Sequence, residues 1–194
     1  MKIAIFASGN GSNFQAICEA ATKEAFPGEI VCLFCDQPAA FVLKRAAQRR
    51  IPAVTFSPND YGTKAAYEEE ILSYLKHYQV ELVVLAGYMR IIGPTILEAF
   101  PKKIINIHPS LLPQFPGLQA IKAALIAGVH TTGVTIHYVD QGIDTGPIIA
   151  QERVPIEKKD TLASLTAKIH QVEHRLYPAS LVKIIQANKE KQEQ

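Results

Sequence analysis

Asn106 and His108 stand two positions apart in KKIINIHP, an apolar run that reads as a β-strand halted by Pro109. Alternation along a strand puts both side chains on one face, so an amide and an imidazole converge where the strand ends. Asp144 follows in the glycine-flanked loop QGIDTG, after a further strand, and can reach the same crevice. A carboxylate in that position orients an imidazole and favours its protonated form. No serine or cysteine sits in an elbow motif, so a covalent acyl-enzyme is not indicated. The three residues suit direct acyl transfer, in which an amine attacks a carbonyl while Asn106 and protonated His108 hold the oxyanion.

The loop SGNGSN (8–13) lies directly between a predicted strand and a predicted helix. Gly9 and Gly11 permit positive φ and close approach of a ligand, and the free N–H groups of a helix start attract an anion. The loop therefore reads as a phosphate cradle, although it lacks a Walker lysine and Phe14 stands where GxGxxG needs its third glycine. Asp36, at the end of the second strand, would suit the ribose of a dinucleotide, which keeps an NAD dehydrogenase as a rival. HQVEH (170–174) matches an HxxEH zinc signature. A zinc site needs a third protein ligand, and none is evident, so the expectation is a polar helical stripe facing substrate and no metal. His77, His130 and His137 read as structural.

The elements that must hold these residues alternate between apolar runs and segments of helical period, the pattern of a parallel sheet covered on both faces. Strands are predicted over 2–8, 29–36, 53–56, 81–87, 102–108, 133–140 and 147–155. Helices are predicted over 12–23, capped by Ser12 or Asn13, then over 39–50, 64–78, 94–100 and 118–128. A last long helix is capped by Asp160 and interrupted at Pro178, and the polar tail is expected to fray. The fold class is α/β: a Rossmann-like parallel sheet in the first half, continued as a mixed sheet in the second. In such a sheet Gly11, Gly87 and His108 gather at the ligand crevice.

A length of 194 residues, with 48% hydrophobic and 20% charged residues, fits one globular domain. The net charge of +2 is too small for a general grip on nucleic acid or anionic lipid, so neither is an expected partner. No run approaches the roughly 18 apolar residues of a membrane helix. The opening MKIAIFASGNG lacks a secretory pattern, so a cytoplasmic protein is expected. Cys18, Cys32 and Cys35 are expected as reduced thiols, with Cys32 and Cys35 on opposite faces of their strand.

Together, SGNGSN, LAGYMRII, INIHPSLLPQFPG and DQGIDTGPII resemble the glycinamide ribonucleotide transformylases, a family of folate-dependent formyltransferases. The likeness runs from Met1 to about Gln186. The resemblance implies a formyltransferase fold over 1–188, with a Rossmann-like half (1–100), a catalytic and folate-binding half (101–188) and a polar tail (189–194). It implies transfer of the formyl group of 10-formyltetrahydrofolate, the co-substrate, to the amine of N1-(5-phosphoribosyl)glycinamide in purine biosynthesis. Gly11, Ser12 and Asn13 would hold the nucleotide phosphate, and His170, Gln171, Val172 and Glu173 would lie along its ribose and glycinamide, with Glu173 on the amine. Lys64, Met89, Arg90, Ile91, Ile92, Asn106, Asp140, Gln141, Gly142, Ile143 and Asp144 would contact the folate. Asn106 would be the oxyanion donor, His108 the proton donor, and Asp144 the carboxylate partner of the imidazole. Many members carry a histidine where this chain has Gln119, which leaves no second imidazole there. A monomer or homodimer is expected.

Three further readings are separable on sequence. Methionyl-tRNA formyltransferases share the NxHPSLLP core but need a further C-terminal domain and a basic surface. Formyltetrahydrofolate hydrolases use similar residues with water as acceptor and carry an N-terminal regulatory domain, which the start MKIAIFASG argues against. A non-catalytic folate or nucleotide sensor would have no use for Asn106, His108 and Asp144 together.

Overall fold

The computed structural model describes residues 1–22 and 26–192, so the expected end of the first helix at Lys23 and the last two residues lie outside it. Its strands are β1 (Lys2–Ala7), β2 (Glu29–Cys35), β3 (Ala53–Thr55), β4 (Leu82–Leu85), β5 (Ile104–His108), β6 (Thr131–Tyr138) and β7 (Ile148–Pro155). They form one sheet in the order β3-β2-β1-β4-β5-β6-β7. The pairs from β3 to β5 are parallel, and β6 and β7 are antiparallel. The predicted parallel half continued as a mixed sheet is what is found.

The helices are α1 (Ser12–Ala21), α2 (Phe41–Gln48), α3 (Lys64–His77), α4 (Pro94–Ala99), α5 (Ala120–Ile126) and α6 (Leu162–Gln192). Strand alternation divides the core between the two faces. Ile3, Ile5 and Ala7 pack with Phe14, Ile17, Tyr177 and Leu181 of α1 and α6. Ala4 and Phe6 pack on the other face with Tyr67, Ile71 and Leu75 of α3 and Ile96 of α4. Cys32 and Cys35 fall in opposite cores, as their spacing requires, and all three thiols are free and buried. Burial pushes Cys18 and Cys32 up to about 12, which keeps them as inert thiols.

Three local expectations are corrected. Helix α1 is capped by Gly11, not Ser12 or Asn13, with φ +77° and no side-chain cap bond. A Cβ at Gly11 would also collide with Val42, so the close approach of α2 requires glycine. Helix α6 starts one residue later than Asp160 implied: Thr161 Oγ1 accepts from the Ser164 amide, and Ser164 Oγ accepts from the Thr161 amide. Pro178 lies inside a continuous α6, which runs on through Gln192 into the segment expected to fray. Buried Tyr177 and Leu181 anchor the helix around the proline, and Tyr177 Oη donates to the carbonyls of Leu85 (2.9 Å) and Ile105 (3.2 Å). Tertiary contacts outweigh the lost helical donor there. Among the described residues no helix is long and apolar enough to cross a membrane.

Candidate active site

Strand order reverses between β1 and β4, and ligands of open α/β sheets bind outside the carboxyl ends at such a point. There the Ser8 amide donates to Gly87 O at 3.0 Å, and Ser8 Oγ accepts from the Met89 amide at 2.9 Å. The glycine loop before α1 thus adjoins the loop after β4. A cavity of about 390 Å³ opens beside them. Its lining includes Asn106, His108 and Asp144 together with Met89, Arg90, Ile91, Ile92, Asp140, Gly142 and Ile143. Met89, Ile91 and Ile143 are exposed, which gives the mouth an apolar rim.

At the floor of the cavity, His108 Nδ1 lies 3.2 Å from Asp144 Oδ2, and His108 Nε2 lies 2.8 Å from Phe115 O. Both partners are acceptors, so both contacts are hydrogen bonds only when each ring nitrogen carries a proton. Asp144 Oδ2 also accepts from the Gly117 amide at 2.8 Å. Burial pushes the Asp144 carboxyl up, but hydrogen bonds from His137 and Gly117, with the charge of His108 and His137, hold it down at about 2. Asp144 is therefore ionised at neutral pH.

His137 is the residue that sequence reasoning assigned to structure and that the fold brings into the site. Its Nε2 sits 3.2 Å from Asn106 Nδ2 and 3.5 Å from Asp144 Oδ1, while Nδ1 meets Tyr138 O at 2.8 Å. Asn106 and His137 are register partners across the antiparallel β5–β6 pair. That pairing is the one signal that could have found His137, and alternation within a single strand does not contain it.

A second feature adjoins the cavity at the start of α1. With no side-chain cap, its first-turn N–H groups lack intrahelical partners, an arrangement able to attract an anion. Asn13 departs from the expected picture in its side chain: Nδ2 donates to Glu173 Oε2 at 3.0 Å, which leaves its backbone amide for an anion. Glu173 is only 5% exposed. Burial pushes its carboxyl up, against the Asn13 hydrogen bond and the nearby His170. His170 and Gln171 are exposed, and Val172 packs against the core. The His170 and His174 rings stack with centroids 6.0 Å apart. Among the described residues no three His, Cys, Asp or Glu side chains are grouped to hold a metal ion.

Two expected folate contacts lie outside the cavity lining, Lys64 and Gln141. Lys64 Nζ is 3.9 Å from Glu68, which accepts the Gly93 amide at 2.6 Å and so braces the rim from behind. Asp36, the candidate ribose ligand of a dehydrogenase, is 2% exposed and paired with Arg90 at 2.6 Å. It is not free to meet a ribose. Gln119 is an exposed cap of α5 at φ +62°.

Residues 1–181 match the formyl transferase family. A phosphoribosylglycinamide formyltransferase of Bacillus subtilis (strain 168) is 49% identical over 187 residues, which cover 96% of each chain. The trifunctional purine biosynthetic protein adenosine-3 of Chironomus tentans is 41% identical over 182 residues, 93% of this chain and 13% of that longer protein. The crystal structure of glycinamide ribonucleotide transformylase 1 from Geobacillus kaustophilus superposes with a TM-score of 0.93 at 55% identity, covering 95% of this chain and 98% of that one.

Proposed function

The chain belongs to the formyl transferase family and is an enzyme of formyl transfer in purine biosynthesis, and on that premise we propose its reaction and site in full. It moves the formyl group of 10-formyltetrahydrofolate to the amine of N1-(5-phosphoribosyl)glycinamide by direct attack. The observation that carries this reading is the convergence of Asn106, His108 and Asp144 in an apolar cavity whose edge adjoins a helix start with no side-chain cap.

The nucleotide phosphate sits on the backbone amides of Gly11, Ser12 and Asn13. Its ribose and glycinamide run along 170–173, where Glu173 positions the amine and releases it for attack. The folate occupies the cavity, its pterin against Met89, Ile91, Ile92 and Ile143 with Asp140 and Gly142 at the polar edge, and its tail runs out past Arg90 toward Lys64 and Gln141. The amine nitrogen bonds to the formyl carbon, and negative charge develops on the formyl oxygen. Asn106 Nδ2 and the His108 imidazolium hold that charge. The bond from carbon to N10 then breaks, N10 takes a proton, and the former amine loses one. For His108 to serve as donor, its Nε2–H exchanges Phe115 O for substrate while Nδ1 stays on Asp144. Asp144 keeps the ring oriented throughout. No step uses a metal.

We place the protein in the cytoplasm, as a monomer or homodimer acting on small molecules, and treat 1–188 as one domain with halves 1–100 and 101–188 and a tail 189–194. The direct test mixes protein, 10-formyltetrahydrofolate and the ribonucleotide. Tetrahydrofolate forms only when both substrates are present. Formate released without the amine would favour a hydrolase.

A further inference from the structure

Asp36 is a buried carboxylate that the reaction above does not use. Its Oδ2 accepts from Arg90 Nε at 2.6 Å and from Gln37 Nε2 at 3.1 Å, while Oδ1 is buried without a partner. Among the described residues its charge is balanced by Arg90 alone. Its partner does face a ligand. Arg90 is 39% exposed, and it is the one Lys or Arg that lines the cavity. Among the described residues, no side chain or carbonyl takes its two Nη nitrogens. Asp140 and Asp144, also in the lining, repel an anion. With His108 engaged by Asp144 and Phe115 O at the reacting end, an anionic group further out on a ligand in this cavity has Arg90 to meet it.

We propose that Asp36 is a positioning residue: it clamps Arg90 through Nε so that the free guanidinium edge meets the glutamate carboxylate of the folate co-substrate. This rests on the formyl-folate reading above. An arginine fixed in advance has less rotamer freedom to lose when a carboxylate arrives, so the clamp acts on binding and not on the chemical step. Ser8 supports the same geometry, because its hydroxyl fixes the Met89 amide immediately before Arg90.

The test compares 10-formyltetrahydrofolate with 10-formyltetrahydropteroate, which lacks the glutamate, in wild type, Asp36→Asn and Asp36→Ala. Asp36→Ala should raise KM for the glutamate-bearing co-substrate by about tenfold, the worth of one charge-assisted contact, with kcat and KM for the ribonucleotide unchanged. Asp36→Asn keeps a weaker acceptor and should fall between the two. KM for the pteroate should be the same in all three proteins, an outcome that a general loosening of the rim would not produce. Variants that bind the glutamate-bearing form as well as wild type, or better, would overturn the clamp and leave Asp36 as a brake on Arg90. An equal rise for both co-substrates would also overturn it. If wild type turns over both forms with one KM, the carboxylate does not meet Arg90, yet formyl transfer stands. If wild type uses neither, the formyl-folate reading itself fails.

Discussion

Asn13 Nδ2 and Glu173 Oε2 lie 3.0 Å apart, joining the first turn of α1 to the middle of α6 across 160 positions of chain. The bond makes the start of α1 and the buried face of α6 one unit, and in the proposed reaction it sets the Glu173 carboxylate where the amine is held. A charge in that setting is costly to stability and useful to function, and the first prediction separates the two.

Glu173→Gln should lower kcat/KM for the ribonucleotide while leaving folate binding nearly intact, as measured by steady-state kinetics and equilibrium titration. Because burial raises the Glu173 carboxyl, falling pH neutralises it above the usual carboxylate range. The wild-type kcat/KM for the ribonucleotide should therefore decline on an acid limb that the Gln variant lacks. The stability sign is opposite: a raised value favours the fold when protonated and disfavours it as pH rises through that value. Thermal unfolding at neutral pH should find Glu173→Gln as stable as wild type, or more so.

Asp144→Asn should reduce kcat by about 10² to 10⁴ with the fold retained, the range expected when a general acid loses its orienting partner. Near-normal turnover would remove Asp144 from the mechanism. Its carboxyl is held at about 2 against a usual 3.8, so its contribution is present above about pH 4 and is lost as pH falls toward 2. Urea titrations of wild type should lose on the order of 2 kcal/mol across that window, and the Asn variant should lose less.

At the phosphate cradle, Ser12→Asp should set a like charge against the nucleotide phosphate and raise KM for the ribonucleotide by an order of magnitude or more. Folate affinity should change little. An unchanged KM would mean that the phosphate binds elsewhere. Gly11→Ala should act differently, through strain at φ +77° and collision with Val42, and cost about 1–3 kcal/mol in unfolding experiments.

Chelator treatment should leave full activity, and metal analysis should find no stoichiometric zinc. Glu173 turns inward to Asn13, away from a shared ligand position with its neighbouring imidazoles. Activity lost to chelator and restored by added zinc would revive a zinc site on HQVEH.

By itself, the sequence determined which segments become strands and helices, because apolar periods of 2 and 3.6 are local properties that survive into any fold. It also placed Asn106 and His108 on one face, and Cys32 and Cys35 on opposite faces, since two and three residues of strand admit no other answer. Asp144 was legible from its glycine loop after a strand. What it could not contain were relations set by pairing between distant segments. His137 became a member of the site only when β6 docked antiparallel on β5 opposite Asn106. Asp36 ceased to be a ribose ligand only when the loop after β4 laid Arg90 across it. Pro178 was read as a break because its lost donor is a local cost, whereas the burial of Tyr177 and Leu181 that outweighs it belongs to the assembled core. Local chemistry chose the elements and the reactive side chains, and long-range packing decided which of them meet.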